Sequence, residues 1–292
     1  MFLSIGAIVS DSEIAENTGM SGAQLLPSLD SAYDLSDESI QFFQTNGYAV
    51  IRGLAGSNEV KAYRDLITEA TNEYAKTYKP MAERDTYGKA FIQFMNLWKK
   101  DERIRQYTLA RRFGEVAAKL MGVKSVRLYH DQALYKEPLG GHTPWHQDQQ
   151  YWPLDGVKCV TMWMPLVDVT ADMGTLNFAA GSQKLGYLGP LNISDDSDDQ
   201  LESIIKERGY PVVNSGDMKA GDATFHDGWT IHGAPGNKSD STTREVMTVI
   251  FIDGEAVISH PDSPQRESDL ETWFPGLKPG DLAKSPLNPR VF

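Results

Sequence analysis

The character of the chain changes at Gly122, and that change constrains the fold more than any other feature. Ahead of it, apolar residues recur at helical spacing. Ser36-Asp37-Glu38 reads as a helix start, with serine at the cap and acids in the first turn, and the helix stops near Gly47. Residues 48–52 read as a strand. A second helix is expected from about 57 to 78, where Val60, Tyr63, Leu66, Ile67, Ala70 and Tyr74 form one stripe. A third helical region is expected between 101 and 121, with Gly122 just past its end. Beyond Gly122 the apolar segments are short, rich in β-branched and aromatic residues, and broken by Gly, Pro and Asp. They cover 126–135, 157–167, 175–180, 223–226, 230–233 and 245–253. Helices first and strands afterwards predict a mainly β fold with flanking α-helices. Many short strands predict a double-stranded β-helix (jelly roll, cupin-like) as its core.

Within the 292 residues there is no internal repeat and no linker of the kind that separates domains. Residues 1–34 read as an N-terminal extension and 35–292 as a single domain. Its β core is expected at about 122–255, with an insertion at about 186–212. There, an acidic connection at 192–200 precedes a short helix at 201–208, readable as a solvated insertion or as a lid. The net charge of -12 argues against nucleic acid and anionic membranes as partners, so a small-molecule substrate is expected. No apolar run approaches the roughly 18 residues of a membrane span. The lone cysteine, Cys159, cannot form an intrachain disulfide, and the apolar first residues have no basic region before them. Together these lead to an expectation of a cytoplasmic protein.

The chemistry concentrates at Thr143-Pro-Trp-His-Gln-Asp-Gln-Gln-Tyr-Trp-Pro-Leu154. His146 and Asp148 stand at i, i+2, so on a strand they point to one side. They supply two corners of a metal site. His232, far downstream between two tight-turn signals, is the candidate for the third; His226 is its rival. Two histidines and a carboxylate suit iron(II) and leave positions open for other ligands. A second His-X-Asp, at His260-Pro-Asp262, has proline in the middle and reads as a loop. Arg244 opens the last strand. A buried arginine needs an anionic partner, and its planar fork suits a carboxylate. A keto acid with two carboxylates meets both needs. Two other readings stay open: a cupin-like hydrolase or isomerase using zinc or manganese without a keto acid, and a non-catalytic binding module. His130 reads as a packed strand residue and His142 as either a substrate contact or structural. Trp145, Tyr151 and Trp152 either shape a pocket or fill the core.

From about Leu35 onward the chain resembles the phytanoyl-CoA dioxygenase family of iron(II)- and 2-oxoglutarate-dependent oxygenases. The resemblance rests on the 143–154 stretch, on Gly174-Thr-Leu-Asn-Phe-Ala-Ala-Gly-Ser-Gln-Lys184, and on Gly221-Asp-Ala-Thr-Phe-His-Asp-Gly-Trp-Thr-Ile-His232-Gly-Ala-Pro-Gly-Asn237 with Arg244. It implies His146, Asp148 and His232 as iron ligands and as the catalytic centre, and Arg244 as the clamp for 2-oxoglutarate. Trp163 would line the cosubstrate pocket and Gln132 would contact the cosubstrate. The implied reaction hydroxylates or otherwise oxidises a small organic substrate with O₂, releasing succinate and CO₂. A carboxylate at 148 occupies the position that halogenating relatives keep open for halide. Two positions depart from the pattern. Ala234 stands where the family often has a serine that helps hold the cosubstrate, so Ser239 or Thr242 is expected to supply a hydroxyl instead. Met173 stands where asparagine is common. Gln93 or Asn96 is expected to reach the cosubstrate from the early segment.

Overall fold

The ends of the helices are set by the residues at their caps. In the computed structural model, which describes residues 25–292, α1 (Asp37–Asn46) begins on Ser36, whose hydroxyl accepts from the Ser39 amide. It ends on Gly47 in the left-handed region, φ 77°. The apolar start of the chain and most of the expected extension lie outside the described residues. α2 (Ser57–Ala75) stops short of the expected end at 78, because Pro80 turns the chain out of the helical region. A short α3 (Thr86–Ala90) follows. The single helical region expected at 101–121 is two helices, α4 (Glu102–Thr108) and α5 (Arg111–Met121). α4 ends where Thr108 donates its hydroxyl to the buried Asp131, and Asp30 accepts from the first amide of α5. Residues 27–31 pack along this layer: Tyr63 donates to the Pro27 carbonyl, and Arg112 to that of Ser31 while also pairing with Glu59.

Among the described residues ten antiparallel strands form two sheets. They are β1 (Tyr48–Ile51), β2 (Ile92–Met95), β3 (Val126–Tyr135), β4 (Thr143–His146), β5 (Cys159–Pro165), β6 (Asn177–Ala179), β7 (Val212–Asn214), β8 (Ala223–Asp227), β9 (His232–Ala234) and β10 (Val246–Asp253). The larger sheet runs β1-β8-β5-β10-β3-β2 and the smaller β4-β9-β6-β7. This is a mainly β architecture with flanking helices and a double-stranded β-helix core. Two further helices, α6 (Asp195–Arg208) and α7 (Pro264–Trp273), lie in the second half.

The two-residue period of the strands divides the larger sheet into two faces. On one face Met162, Met164, Phe225, Val249 and Phe251 pack with Ile67, Tyr107 and Phe113 of the helical layer, all buried. Each such side chain contributes about 1.5–3 kcal/mol by leaving water. The residues between them, Thr161, Trp163, His226 and Thr248, face the smaller sheet and line a cavity. That alternation places polar groups inside the barrel while the helices cover its back.

The acidic run expected as a connection is the opening of α6. Ser194 caps it, and Asp195, Asp196 and Asp198 sit in the first turn, where a helix N-terminus favours negative charge. Leu201 and Ile205 pack on Ala179 and Ile231, so α6 is seated against the smaller sheet. Ile193, just before it, reaches the cavity. Among the described residues no helix is long and apolar enough to cross a membrane.

Candidate metal centre

β4 ends at His146, so the strand expected to carry both His146 and Asp148 stops between them. Gln147 nevertheless stays extended, φ -117° and ψ 129°, and the alternation of side chains persists to Asp148. Asp148 itself opens a 3₁₀ turn. Across the smaller sheet His146 pairs directly with His232 of β9. Register therefore brings these two imidazoles together, with ring centroids 4.1 Å apart. Asp148 Oδ1 lies 3.5 Å from His146 Nε2 and 3.7 Å from His232 Nε2. Among the described residues this is the one group of three metal-type side chains whose ligand atoms converge, all within 4.8 Å of one another.

Both imidazoles are oriented for coordination. His146 donates from Nδ1 to the Pro144 carbonyl at 2.8 Å, and His232 from Nδ1 to the Thr230 carbonyl at 3.0 Å. Each Nε2 lone pair is thus aimed at the shared centre. Burial, with His146 and His226 alongside, holds the His232 pKa well below its usual value, which keeps that lone pair free. Burial works against the charge of Asp148. His232, His146 and His226 outweigh it and hold the carboxyl well below the usual range. A divalent cation fits this donor set: two oriented imidazoles and one carboxylate, with no protein cation among them.

The rival histidine has a different place. His226 on β8 is the cross-strand partner of Thr161 on β5, and both donate to Asp148 Oδ2, at 3.1 and 2.7 Å. Two donors on Oδ2 leave Oδ1 as the oxygen directed at the centre, so the carboxylate is arranged for one-oxygen coordination. Thr161→Val removes one donor at nearly constant volume. It is expected to weaken iron(II) binding by about 10–100-fold, in line with losses of such supporting hydrogen bonds. Anaerobic competition against a chromophoric chelator measures this, and unchanged affinity would sink the idea.

At another wall of the same cavity stands Arg244, 1% exposed. Its Nη1 donates to the Gly174 carbonyl at 2.7 Å, its guanidinium lies 5.3 Å from the centre of the Trp163 ring, and its Nε has no partner. Burial pushes its pKa down to about 9. Next to it Lys136 is fully buried, its pKa pushed down to about 6 by burial and by Arg244. Among the described residues no carboxylate pairs with either. A buried guanidinium without a counter-ion is costly by itself and favours an anion.

Gln132 lines the cavity and accepts from Gln93 Nε2 at 2.6 Å, while Gln93 Oε1 accepts from Tyr87. Asn96 instead accepts from the Trp98 indole and lies away from the cavity. Neither Ser239 nor Thr242 reaches the lining. The Ser239 hydroxyl accepts from the Ser241 and Thr242 amides in a surface turn. The hydroxyl beside Ala234 belongs to Thr143, its register partner on β4, which does line the cavity. Met173 is packed in the core near Trp163. His142 sits outside, near Asp198, and His260-Pro-Asp262 lies in the loop before α7. His130, read as packing, lines the cavity, as do Tyr151 and Trp152; Trp145 does not. The α7 wall was not foreseen. Just past His260-Pro-Asp262, serine at the cap (Ser263) with proline at the first helical position is a helix start.

The family profile described as "Phytanoyl-CoA dioxygenase (PhyH)" matches residues 43–246. The chain is 23% identical over 263 residues to "Phytanoyl-CoA dioxygenase 1" of Oryza sativa subsp. japonica, covering 77% of this chain and 91% of that one. To "Phytanoyl-CoA dioxygenase" of Arabidopsis thaliana it is 21% identical over 259 residues, covering 76% and 90%. Among solved structures it is similar to SnoK, a non-heme alpha ketoglutarate dependent carbocyclase from nogalamycin biosynthesis. There the TM-score is 0.69 at 24% identity, covering 92% of this chain and 100% of that one. It is similar also to the epimerase SnoN in complex with Fe3+, alpha ketoglutarate and nogalamycin RO, with TM-score 0.70 and 23% identity, covering 88% and 98%. These two likenesses are of fold.

Proposed function

The chain belongs to the phytanoyl-CoA dioxygenase family, and from that premise, which makes it an iron(II)- and 2-oxoglutarate-dependent oxygenase, we propose that it oxidises a C–H bond of a small organic molecule with release of succinate and CO₂. The observation that carries this is one cavity holding both the converging His146, Asp148 and His232 and the counter-ion-free Arg244. Held by these residues, iron(II) and 2-oxoglutarate would supply the oxidising chemistry with O₂. The rest is the work of the protein's side chains.

His146 Nε2, Asp148 Oδ1 and His232 Nε2 would hold iron(II), a donor set that suits this metal. Arg244 takes the far carboxylate of the keto acid, with its free Nε as an available donor and Trp163 supporting the guanidinium plane. Thr143 completes the clamp. Lys136 donates to its Oγ1 at 3.3 Å, which leaves the threonine hydroxyl proton for the carboxylate. That is the function Ala234 lacks the hydroxyl to perform. Gln132, whose Oε1 is engaged by Gln93, has its amide N–H free to donate into the cavity. Phe91, Leu134 and Leu176 supply the apolar lining that limits water near the reacting groups.

A zinc- or manganese-dependent hydrolase on the same fold gives Arg244 and Lys136 no anion to meet. The experiment that separates the two readings is an anaerobic absorption titration with iron(II) and then 2-oxoglutarate. A weak visible charge-transfer band is expected on adding the keto acid. Bound iron without such a band would retire the keto acid.

A further inference from the structure

β3 is irregular at the cavity end remote from Arg244. Val249 of β10 faces Asp131 and Phe251 faces Leu128, so Tyr129 and His130 together oppose Ile250. Two residues against one is a β-bulge, and bulges re-aim side chains. Here both turn toward α7. The His130 ring lies 4.5 Å from the Trp273 ring, and Tyr129 donates to Asp269 Oδ2 at 2.7 Å. His130 is six residues along β3 from Lys136, roughly 20 Å at about 3.3 Å per residue, so this end is separate from the clamp.

α7 presents Ser268, Asp269, Thr272 and Trp273 to the cavity, one polar face of the helix. His130 is 5% exposed and its buried Nδ1 has no partner. Burial pushes the Asp269 carboxyl up to about 7, against the hydrogen bonds from Tyr129 and Trp273. Among the described residues lining the cavity, Arg244 is the one with a permanent positive charge, and it stands at the other end.

Charge balance then selects a ligand. In the loaded centre, iron(II) and Arg244 are matched by Asp148 and the 2-oxoglutarate dianion. Asp269 is left as the uncompensated acid, and a desolvated carboxylate is stabilised by a cation. We propose that the α7 end of the cavity is the substrate-recognition subsite and that it takes an amine, the ammonium on Asp269 with His130 as its second contact. Among the described residues lining the cavity, none at the α7 end offers a cation for an anionic group. This inference rests on reading the Arg244 end as the cosubstrate site.

The test is calorimetric titration of the anaerobic protein loaded with iron(II) and 2-oxoglutarate, using benzylamine, benzyl alcohol and benzoate as probes. Benzylamine is expected to bind at least about tenfold tighter than the other two, a difference of about 1.4 kcal/mol. Asp269→Asn is expected to erase that preference while the chelate band stays. Tyr129→Phe, which keeps the carboxylate and removes its donor, is expected to retain it, and decides the matter should Asp269→Asn not fold. Benzoate or benzyl alcohol binding as well as benzylamine, no saturable binding of any probe, preference kept in Asp269→Asn, or preference lost in Tyr129→Phe would each overturn the proposal. If the chelate band never forms, the oxygenase reading falls and the charge balance behind this proposal falls with it; a band without amine preference overturns this proposal alone.

Discussion

His232→Ala is expected to release iron and to lower 2-oxoglutarate turnover by more than about 10³-fold, since a metal supplies several kcal/mol of stabilisation to its reaction. The control is His226→Gln, which is expected to retain iron and to lose less than about a hundredfold. The two histidines are six residues apart in sequence, and their ring centroids are 4.1 Å apart. They differ in what each nitrogen meets. His232 spends Nδ1 on the Thr230 carbonyl and points Nε2 at Asp148 Oδ1, whereas His226 spends Nε2 as a donor to Oδ2. A glutamine amide reproduces that donation; alanine at 232 leaves nothing to coordinate. Iron content and succinate formation on the same preparations check both. Iron-replete His232→Ala with near-normal turnover would remove it from the ligand set.

Arg244→Leu is expected to raise the KM for 2-oxoglutarate by about 30-fold or more. Losing one partner of a buried charge pair costs about 2–5 kcal/mol. Thr143→Val removes one hydrogen bond to the charged carboxylate and is expected to cost about tenfold or more. Arg244→Lys should fall between wild type and leucine, because it keeps the charge and loses the planar fork. Stability moves the other way. Arg244 is buried without an anion beside Lys136, so leucine relieves an unpaired charge. Without keto acid the leucine variant should melt at or above the wild-type temperature. Saturating 2-oxoglutarate should then raise the wild-type Tm and leave the variant's nearly unchanged. Calorimetry with and without 2-oxoglutarate measures this, and equal Tm gains in both proteins would show that Arg244 does not bind the cosubstrate.

Much of the fold was readable along the chain. Ser36, Gly47 and Gly122 mark helix ends by their own capping chemistry, and β10 announces itself as a long β-branched run. β2 and β7 were missed because three or four residues carry too little pattern. The break between α4 and α5 was missed because its cause is Asp131, distant in sequence.

At the site, sequence alone determined the residue types: His-X-Asp on extended backbone, two further histidines beyond it, and an arginine entering a buried strand. Those are local facts, carried by neighbours in the chain. Only the tertiary structure decided which histidine faces Oδ1 and which holds Oδ2. It also decided that Thr143 stands beside Ala234, that Thr161 supports Asp148, and that α7 closes the far end with Asp269. The physical reason is register. A strand fixes which of its own residues share a face, but only its pairing with another strand fixes what stands opposite them, and a one-residue slip would exchange every such neighbour.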